Sequence, residues 1–362
     1  MRITWHLPAM LSCLTLTGLV AWNWSWMTSR PPRVVRFSGT HREIGLAHGS
    51  LLRHEIEGFY RGYVLDGLVA REGWPESELL AVGRHYDEFL PAECREEMRG
   101  IAQGAGVPYE RILVMNTLFD ALLGKSARAC SGLAVLSREG MIAGHNVDWI
   151  DHGIAHRHGV VFALAPEGRH RIMSVGWPGM VGVVTGMNDE GLVVCMNMAS
   201  AGDLDTDATP ALIRIRHTLE NENGVGRAVR ALAADPRTIA MNLLIADERS
   251  AVSLELSGRQ HAIVPMRDGC VANANYYQAL AIRGGSGADR VATMIRAIDA
   301  AAELPAPRDI RSALRRVHFF DWSGGMATIQ SVVLRPRDLA ADVAIGQIPA
   351  TSGRYYVVRM DR

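Results

Sequence analysis

Lysine is almost missing from this 362-residue chain: Lys125 stands alone, and every other basic residue is arginine. Lysine-dependent chemistry would have to use that one residue. Cysteine is sparse and odd in number. Cys13, Cys94, Cys130, Cys195 and Cys270 share no CxxC spacing, which argues against a disulfide framework and a thiolate metal site. Net charge is lacking too, since 38 basic residues cancel 38 acidic ones, and no electrostatic footprint for nucleic acid is present. Charge runs, repeats and low-complexity linkers do not occur, which predicts one integrated domain. With 48% hydrophobic and 21% charged residues the chain can bury a sizeable core, so disorder is excluded as its main theme.

Several familiar signatures fail. Gly124-Lys125-Ser126 matches the end of a phosphate-binding loop, but Phe119 stands where the first glycine is needed, and helix rather than strand precedes it. No GxSxG elbow occurs, and Gly176-Trp177-Pro178-Gly179 lacks the dinucleotide spacing. His152, His156 and His158 could offer imidazoles to a metal, but no carboxylate-rich set accompanies them, and a solvated loop is the plainer reading.

Residues 7–26 carry no charge and are mostly apolar, with Arg2 ahead and Arg30, Arg33 and Arg36 behind. That pattern predicts a signal peptide or membrane anchor over 1–32 and an exported or membrane-anchored protein, periplasmic or otherwise extracytoplasmic. Trp22, Trp24 and Trp26 suit an interfacial belt; a buried N-terminal helix is the alternative. From about 40 to 124 the spacing is helical. Thr40-His41-Arg42-Glu43 fits a capping box, Pro75 and Pro91 open further helices, and 109–119 continues the pattern. After Lys125 the period shifts to two. Residues 130–136 and 141–146 read as a hairpin around Ser137-Arg138-Glu139-Gly140, with further strands at 159–165, 180–185, 191–196, 240–246, 252–256, 328–334, 343–348 and 355–360. Helices are expected at about 210–222, 225–234, 287–303 and 307–317, giving an α+β layered protein rather than a doubly wound one.

Chemistry concentrates in the hairpin. If the Ala129–Cys130 bond were cut, Cys130 would carry a free α-amine beside its thiol, and an amine of pKa near ~8 can take the thiol proton without a partner histidine. Asp148 falls at the far end of the antiparallel strand, where its carboxylate can lie near that amine. Taken alone, each residue reads equally as a buried small hydrophobe and a turn cap.

In order along the chain stand Arg42-Glu43-Ile44-Gly45 with His48-Gly49, Glu96-Glu97 with Gly100-Ile101-Ala102-Gln103-Gly104-Ala105-Gly106, Cys130-Ser131-Gly132, and Asn146-Val147-Asp148-Trp149. Beyond them come Gly186-Met187-Asn188-Asp189-Glu190-Gly191-Leu192 with Asn197, then Ala272-Asn273 and Asp289-Arg290. This series resembles the N-terminal nucleophile hydrolases of the choloylglycine hydrolase superfamily, in particular the self-cleaving acyltransferase branch that includes isopenicillin N acyltransferase. Bile-salt hydrolases carry arginine where this chain has His145, which sets bile salts aside as substrates.

The resemblance implies a four-layer αββα sandwich with two antiparallel sheets, a mainly helical leader over 33–129 and a β-chain over 130–362. It further implies autocatalytic cleavage between Ala129 and Cys130, and a catalytic set of Cys130, Asp148, Asn197, Asn273 and Arg290. In that set Asn197 supplies an oxyanion donor, Asn273 and Asp148 hold the amine, and Arg290 fixes Asp148. His145 and Asn146 are expected to touch substrate. The implied substrate is a small-molecule N-acyl amide or acyl thioester, handled without cofactor or metal, and the cleaved pieces remain associated as a heterodimer. The alternatives are an inactive membrane-anchored binding protein of the same fold, or a metal-dependent amidase using His152, His156 and His158.

Overall fold

The computed structural model describes residues 31–122, 129–234, 236–301, 304–321 and 325–360. The uncharged run 7–26 and Lys125 lie outside the described residues. Among the described residues no helix is long and apolar enough to cross a membrane.

The first strand, β1 (Arg33–Gly39), departs from expectation: its arginines read as flanks of the apolar run, yet they alternate with buried Val35 and Phe37. Helices come next, as predicted: α1 (His41–Leu51), α2 (Arg53–Phe59) running on as a π-helical segment (Tyr60–Arg71), α3 (Glu76–Asp87), α4 (Ala92–Ala105) and α5 (Tyr109–Ala121). Thr40 caps α1 through the expected box, its side chain bonded to Glu43 N and the Glu43 carboxylate to Thr40 N. The hairpin is β2 (Ser131–Ser137) and β3 (Gly140–Ile150), turning at Gly140, whose φ of 101° favours glycine.

Next come β4 (Val160–Pro166), β5 (Ile172–Gly176), β6 (Thr185–Asn188), β7 (Val193–Met198), α6 (Ala211–Asn221) and α7 (Val225–Ala233). After these the chain forms β8 (Met241–Ala246), β9 (Ala251–Leu256), β10 (His261–Pro265), β11 (Cys270–Asn273), β12 (Asn275–Tyr276) and β13 (Gly285–Ser286). It closes with α8 (Ala288–Asp299), α9 (Pro307–Arg316), β14 (Phe320–Asp321), β15 (Met326–Arg335), β16 (Ala340–Ile345) and β17 (Tyr356–Arg359). One expected strand is corrected: 180–184 is a buried loop. Its backbone is satisfied by Asn116 of α5, which accepts from Val181 N (2.7 Å) and Gly182 N (3.3 Å) and donates to Gly179 O (2.9 Å).

Two main sheets result. One runs β1-β4-β5-β6-β7-β8-β9-β10; the other runs β11-β2-β3-β15-β16-β17, with β14 on β15. Pairing is antiparallel except for β1 with β4, which is parallel and departs from the all-antiparallel expectation. A core that includes Ala134, Met141, Met173, Met187, Cys195 and Leu244 fills the space between the sheets. Helices α8 and α9 pack on Leu133, Val135 and Ile142 of the second sheet, while α1 to α7 join Phe162, Val194 and Leu243 of the first. The strand and helices ahead of Cys130 thus share one core with the chain beyond it.

Two helices of that leading piece touch backbone to backbone. A Cβ at Gly49 of α1 would lie 2.2 Å from Ile101 O, and one at Gly104 of α4 would lie 2.3 Å from Leu46 O. Arg216 of α6 ties the pair down, donating to Glu97 (3.2 Å) and Glu220 (2.6 Å), all of them buried. Because an added methyl there meets backbone rather than a flexible side chain, Gly49→Ala is expected to destabilise the protein by about 1–3 kcal/mol. Denaturant unfolding checks this, with Gly202→Ala as the control that has open space around it.

Candidate functional site

Alternation along β2 and β3 brings the predicted residues to one end of the hairpin. Ser131 pairs with Asn146, so Cys130 and Asp148 end up beside each other just beyond the last ladder position. The Cys130 thiol donates to the Asp148 carbonyl at 3.5 Å. Burial, with the Asp148 charge adding to it, pushes this thiol up to about 12, so Cys130 is a neutral thiol in the intact chain. Burial also raises the Asp148 carboxyl to about 7, against the pull of its Thr328 hydrogen bond and of Arg290. Its Oδ2 is buried without a hydrogen-bond partner.

Arg290 stands in the first turn of α8, where Gly287, at φ 105°, starts the helix; a Cβ there would lie 2.4 Å from the guanidinium. Its Nη1 donates to Cys130 O (2.9 Å) and to Ser131 Oγ (3.3 Å), and its Nη2 donates to Asn275 Oδ1 (2.9 Å). Asp148 Oδ2 is 4.0 Å away, so the direct charge-assisted bond expected between Arg290 and Asp148 is replaced by a bond to the Cys130 backbone.

The two expected asparagines lie deeper, between the sheets. Asn197 Nδ2 donates to Asn273 Oδ1 (2.7 Å), and Asn273 Nδ2 donates to Ser253 Oγ (3.0 Å). Gly132 permits this pair: a Cβ there would lie 2.7 Å from Asn273 Oδ1 and 3.5 Å from Asn197 Nδ2. With its amide committed in this way, Asn273 does not line the small chamber at Cys130. Asn275 does, donating to Met198 O (2.7 Å) while accepting from Arg290. Sequence reasoning misses it, along with Thr328, Ser131 and Ser253. In Asn273-Ala274-Asn275 the two asparagines stand two apart, and spacing alone does not show that one ends β11 and the other begins β12.

His145 and Asn146, expected to meet substrate, are both fully buried and absent from the chamber lining. His145 bonds Asn197 Oδ1 through Nε2 (3.2 Å) and Thr185 Oγ1 through Nδ1 (2.6 Å), and burial lowers it to about 4, so the ring is neutral near pH 7. Asn146 faces α9, donating to Leu314 O (3.0 Å) and accepting from Ser331 (2.7 Å). Both are therefore corrected from substrate contacts to internal ones. The three histidines of the metal alternative diverge: His152 meets Glu72 (3.1 Å), His156 meets Asp151 (2.8 Å) and His158 meets Ile154 O (3.1 Å).

The chamber is lined by Phe119, Cys130, Val147, Asp148, Trp149, Val184, Met196, Met198 and Asn275, and has a volume of about 10 Å³, room for one water. A second void of similar size shares Phe119 and Trp149 with it and adds Phe59, Tyr63, Trp177 and Met180. Of the apolar residues near these motifs, Trp149 and Trp177 face this space, whereas Met187 belongs to the core between the sheets.

Asp148 has a consequence for stability. It holds its proton to about pH 7 when folded but to only ~3.9 when unfolded, so stability is full below the lower value and falls as pH rises through the window. In a Cys130→Ala chain, equilibrium unfolding between pH 4 and pH 7 is expected to show this loss as the difference in pH slope between the parent and its Asp148→Asn variant. The other buried groups cancel in that difference: Asp120, raised to about 6, adds a loss of the same sign, while His145 and His48, lowered to about 4 and about 3, add a gain.

Residues 135–302 match the family model described as acyl-coenzyme A:6-aminopenicillanic acid acyl-transferase; the match begins beyond Cys130 and contains Asp148, Asn197, Asn273, Asn275 and Arg290. An uncharacterized protein of Archaeoglobus fulgidus is 25% identical over 64% of this chain and 44% of its own length. Protein dcd1A of Dictyostelium discoideum is 21% identical over 58% and 54%. The chain spans about half the length of these curated relatives. Among solved structures, penicillin V acylase from Agrobacterium tumefaciens aligns with a TM-score of 0.47 at 14% identity, covering 64% of this chain and 86% of that one. The Caenorhabditis elegans ortholog of N-acylethanolamine-hydrolyzing acid amidase aligns at 0.46 and 14%, covering 63% and 100%. The family model agrees with the resemblance read from the ordered motifs around Cys130: this chain is similar to the acyl-coenzyme A:6-aminopenicillanic acid acyl-transferase family.

Proposed function

We propose that the protein is a self-cleaving amidohydrolase or acyltransferase whose nucleophile is the Cys130 thiol. One observation carries this reading. Cys130 is gripped at both of its functional ends, its carbonyl by Arg290 and its thiol by the Asp148 carbonyl, beside a buried carboxylate oxygen with no hydrogen-bond partner. Helices outside two facing sheets support the αββα sandwich of the superfamily it resembles.

In the intact chain, Sγ attacks the Ala129 carbonyl carbon. The thiol proton passes by way of Asp148, whose carboxyl titrates near neutrality, to the Cys130 nitrogen. The C–N bond breaks as the C–S bond forms. Water then hydrolyses the thioester, releasing the Ala129 carboxylate and leaving Cys130 with a free amine and a thiol. Ser131 Oγ donates to the Ala129 oxygen at 3.5 Å, and Arg290 orients that hydroxyl, so Ser131 is the donor placed where negative charge develops.

After cleavage the leading piece stays attached through β1 on β4 and the shared helical core, which supports a heterodimer of 33–129 and 130–362. The new amine serves as base in turnover on a small-molecule N-acyl amide or acyl thioester. Arg290, itself bonded to Asn275, holds the Cys130 carbonyl. Asn197, the residue expected to serve the oxyanion, gives one N–H to Asn273, and His145 fixes which end of that amide faces which way; it reaches the chamber only if that thread shifts on substrate binding. The aromatic side chains around Trp149 suit an apolar acyl group, which enters only where the water-sized voids beside them widen. Phe119, from the piece ahead of Cys130, lines both voids. The uncharged run 7–26 supports an exported or membrane-anchored enzyme.

Intact-mass measurement tests the proposal. Wild type is expected to split between Ala129 and Cys130 and Cys130→Ala to stay whole; a wild-type chain that never splits sinks the reading. Ser131→Ala is expected to slow the cleavage by about tenfold or more. Once cleaved, that variant should turn over a labelled N-acyl amide at close to the wild-type rate.

A further inference from the structure

Away from Cys130, a concave groove of about 330 Å³ opens between α9 and the segment leading into β17. Four arginines line it, Arg308, Arg311, Arg315 and Arg354, together with Ser312 and Tyr355. The first three succeed one another at spacings of three and four, which puts them on one stripe of α9, while Ile310, Ala313 and Leu314 bury the opposite face. Like charges so arranged weaken a helix unless something neutralises them. No carboxylate lines the groove among the described residues. The nearest acids are only loosely engaged, with Asp342 3.7 Å from Arg311 and Asp309 3.9 Å from Arg308.

The guanidinium groups are also held in place. Arg311 lies over the Tyr355 ring, 5.5 Å from its centroid, and Arg354 lies over Tyr356 at 5.1 Å. Arg315 Nε donates to Thr351 O at 3.2 Å, which fixes its plane against the groove wall. Tyr355 is pinned in turn by a 2.7 Å hydrogen bond between its hydroxyl and Ser331 of β15, so the floor of the groove belongs to the rigid sheet. Preorganised planar donors around a concavity match the tetrahedral, multiply charged oxygens of a phosphate better than a single carboxylate.

We propose that this groove binds a phosphate-bearing anion. The site is independent of the Cys130 chemistry, and its ligand is either a soluble phosphate or an anionic phospholipid headgroup.

Calorimetric titration of the full chain with inorganic pyrophosphate tests the shared chemistry. Sedimentation with phosphatidylcholine vesicles, with and without phosphatidic acid, separates the two sources. Saturable pyrophosphate binding is expected, weakened by at least about tenfold in Arg311→Gln and in Arg354→Gln. Arg308→Gln, whose side chain is 79% exposed, should weaken binding without touching the fold. Arg227→Gln, on exposed α7 surface, should change nothing. Pyrophosphate binding without vesicle binding identifies a soluble ligand; vesicle binding that needs phosphatidic acid and is competed by pyrophosphate identifies a headgroup. The proposal is overturned if neither probe binds saturably, or if Arg227→Gln weakens binding as much as Arg311→Gln.

Discussion

The amide pair of Asn197 and Asn273, buried between the two sheets, is the contact on which the rest of the site depends. It belongs to a thread that crosses from sheet to sheet, from His145 on β3 to Asn197 on β7, Asn273 on β11 and Ser253 on β9. Sliding one sheet over the other would strand several of these groups at once, and each buried polar atom without a partner costs about 1–3 kcal/mol. Apolar side chains between sheets tolerate small shifts; a hydrogen-bonded thread does not. The thread therefore fixes where the head of β2 lies relative to the first sheet, and Gly132 is the residue that lets the amides pass over that strand.

Burial does the second part of the work. The same exclusion of water that keeps the Cys130 thiol protonated also raises Asp148 toward neutrality and leaves one of its oxygens without a hydrogen bond. A neutral thiol thus stands beside a carboxyl titrating near pH 7. Arg290 completes this arrangement by holding the Cys130 carbonyl and the Ser131 hydroxyl, so the backbone on either side of Cys130 is located by a side chain from α8, far along the sequence.

The leading helices are built into the core. The close backbone contact of α1 with α4 and the buried Arg216, Glu97 and Glu220 set anchor them, and Glu220 stays ionised, held at about 2, because Arg216 and His41 outweigh the cost of its burial. From that anchored body α5 delivers Phe119 onto Trp149, with ring centroids 4.3 Å apart, walling the small chamber at Cys130.

Much of this is legible in the chain itself, and the reason is locality. The capping box at Thr40, the turn at Gly140, the period-two strands and the helix carrying Arg290 depend on neighbours within a few residues, and the hairpin already brings Cys130 to Asp148. The motif glycines at 45, 49, 100 and 104 are visible as well, though not that they mark two helices in backbone contact. Features that depend on partners distant in sequence cannot be read from it. β1 is a strand because β4 is there to pair with it, and 180–184 remains a loop because Asn116 satisfies its backbone. His145 and Asn146 turn inward, and Asn275 rather than Asn273 reaches the chamber at Cys130. The sequence by itself determined the hairpin that sets Cys130 beside Asp148 and the local elements that carry them, because those rest on spacing. Only the tertiary structure decided which polar side chain meets which, because hydrogen bonds between sheets are chosen by three-dimensional register.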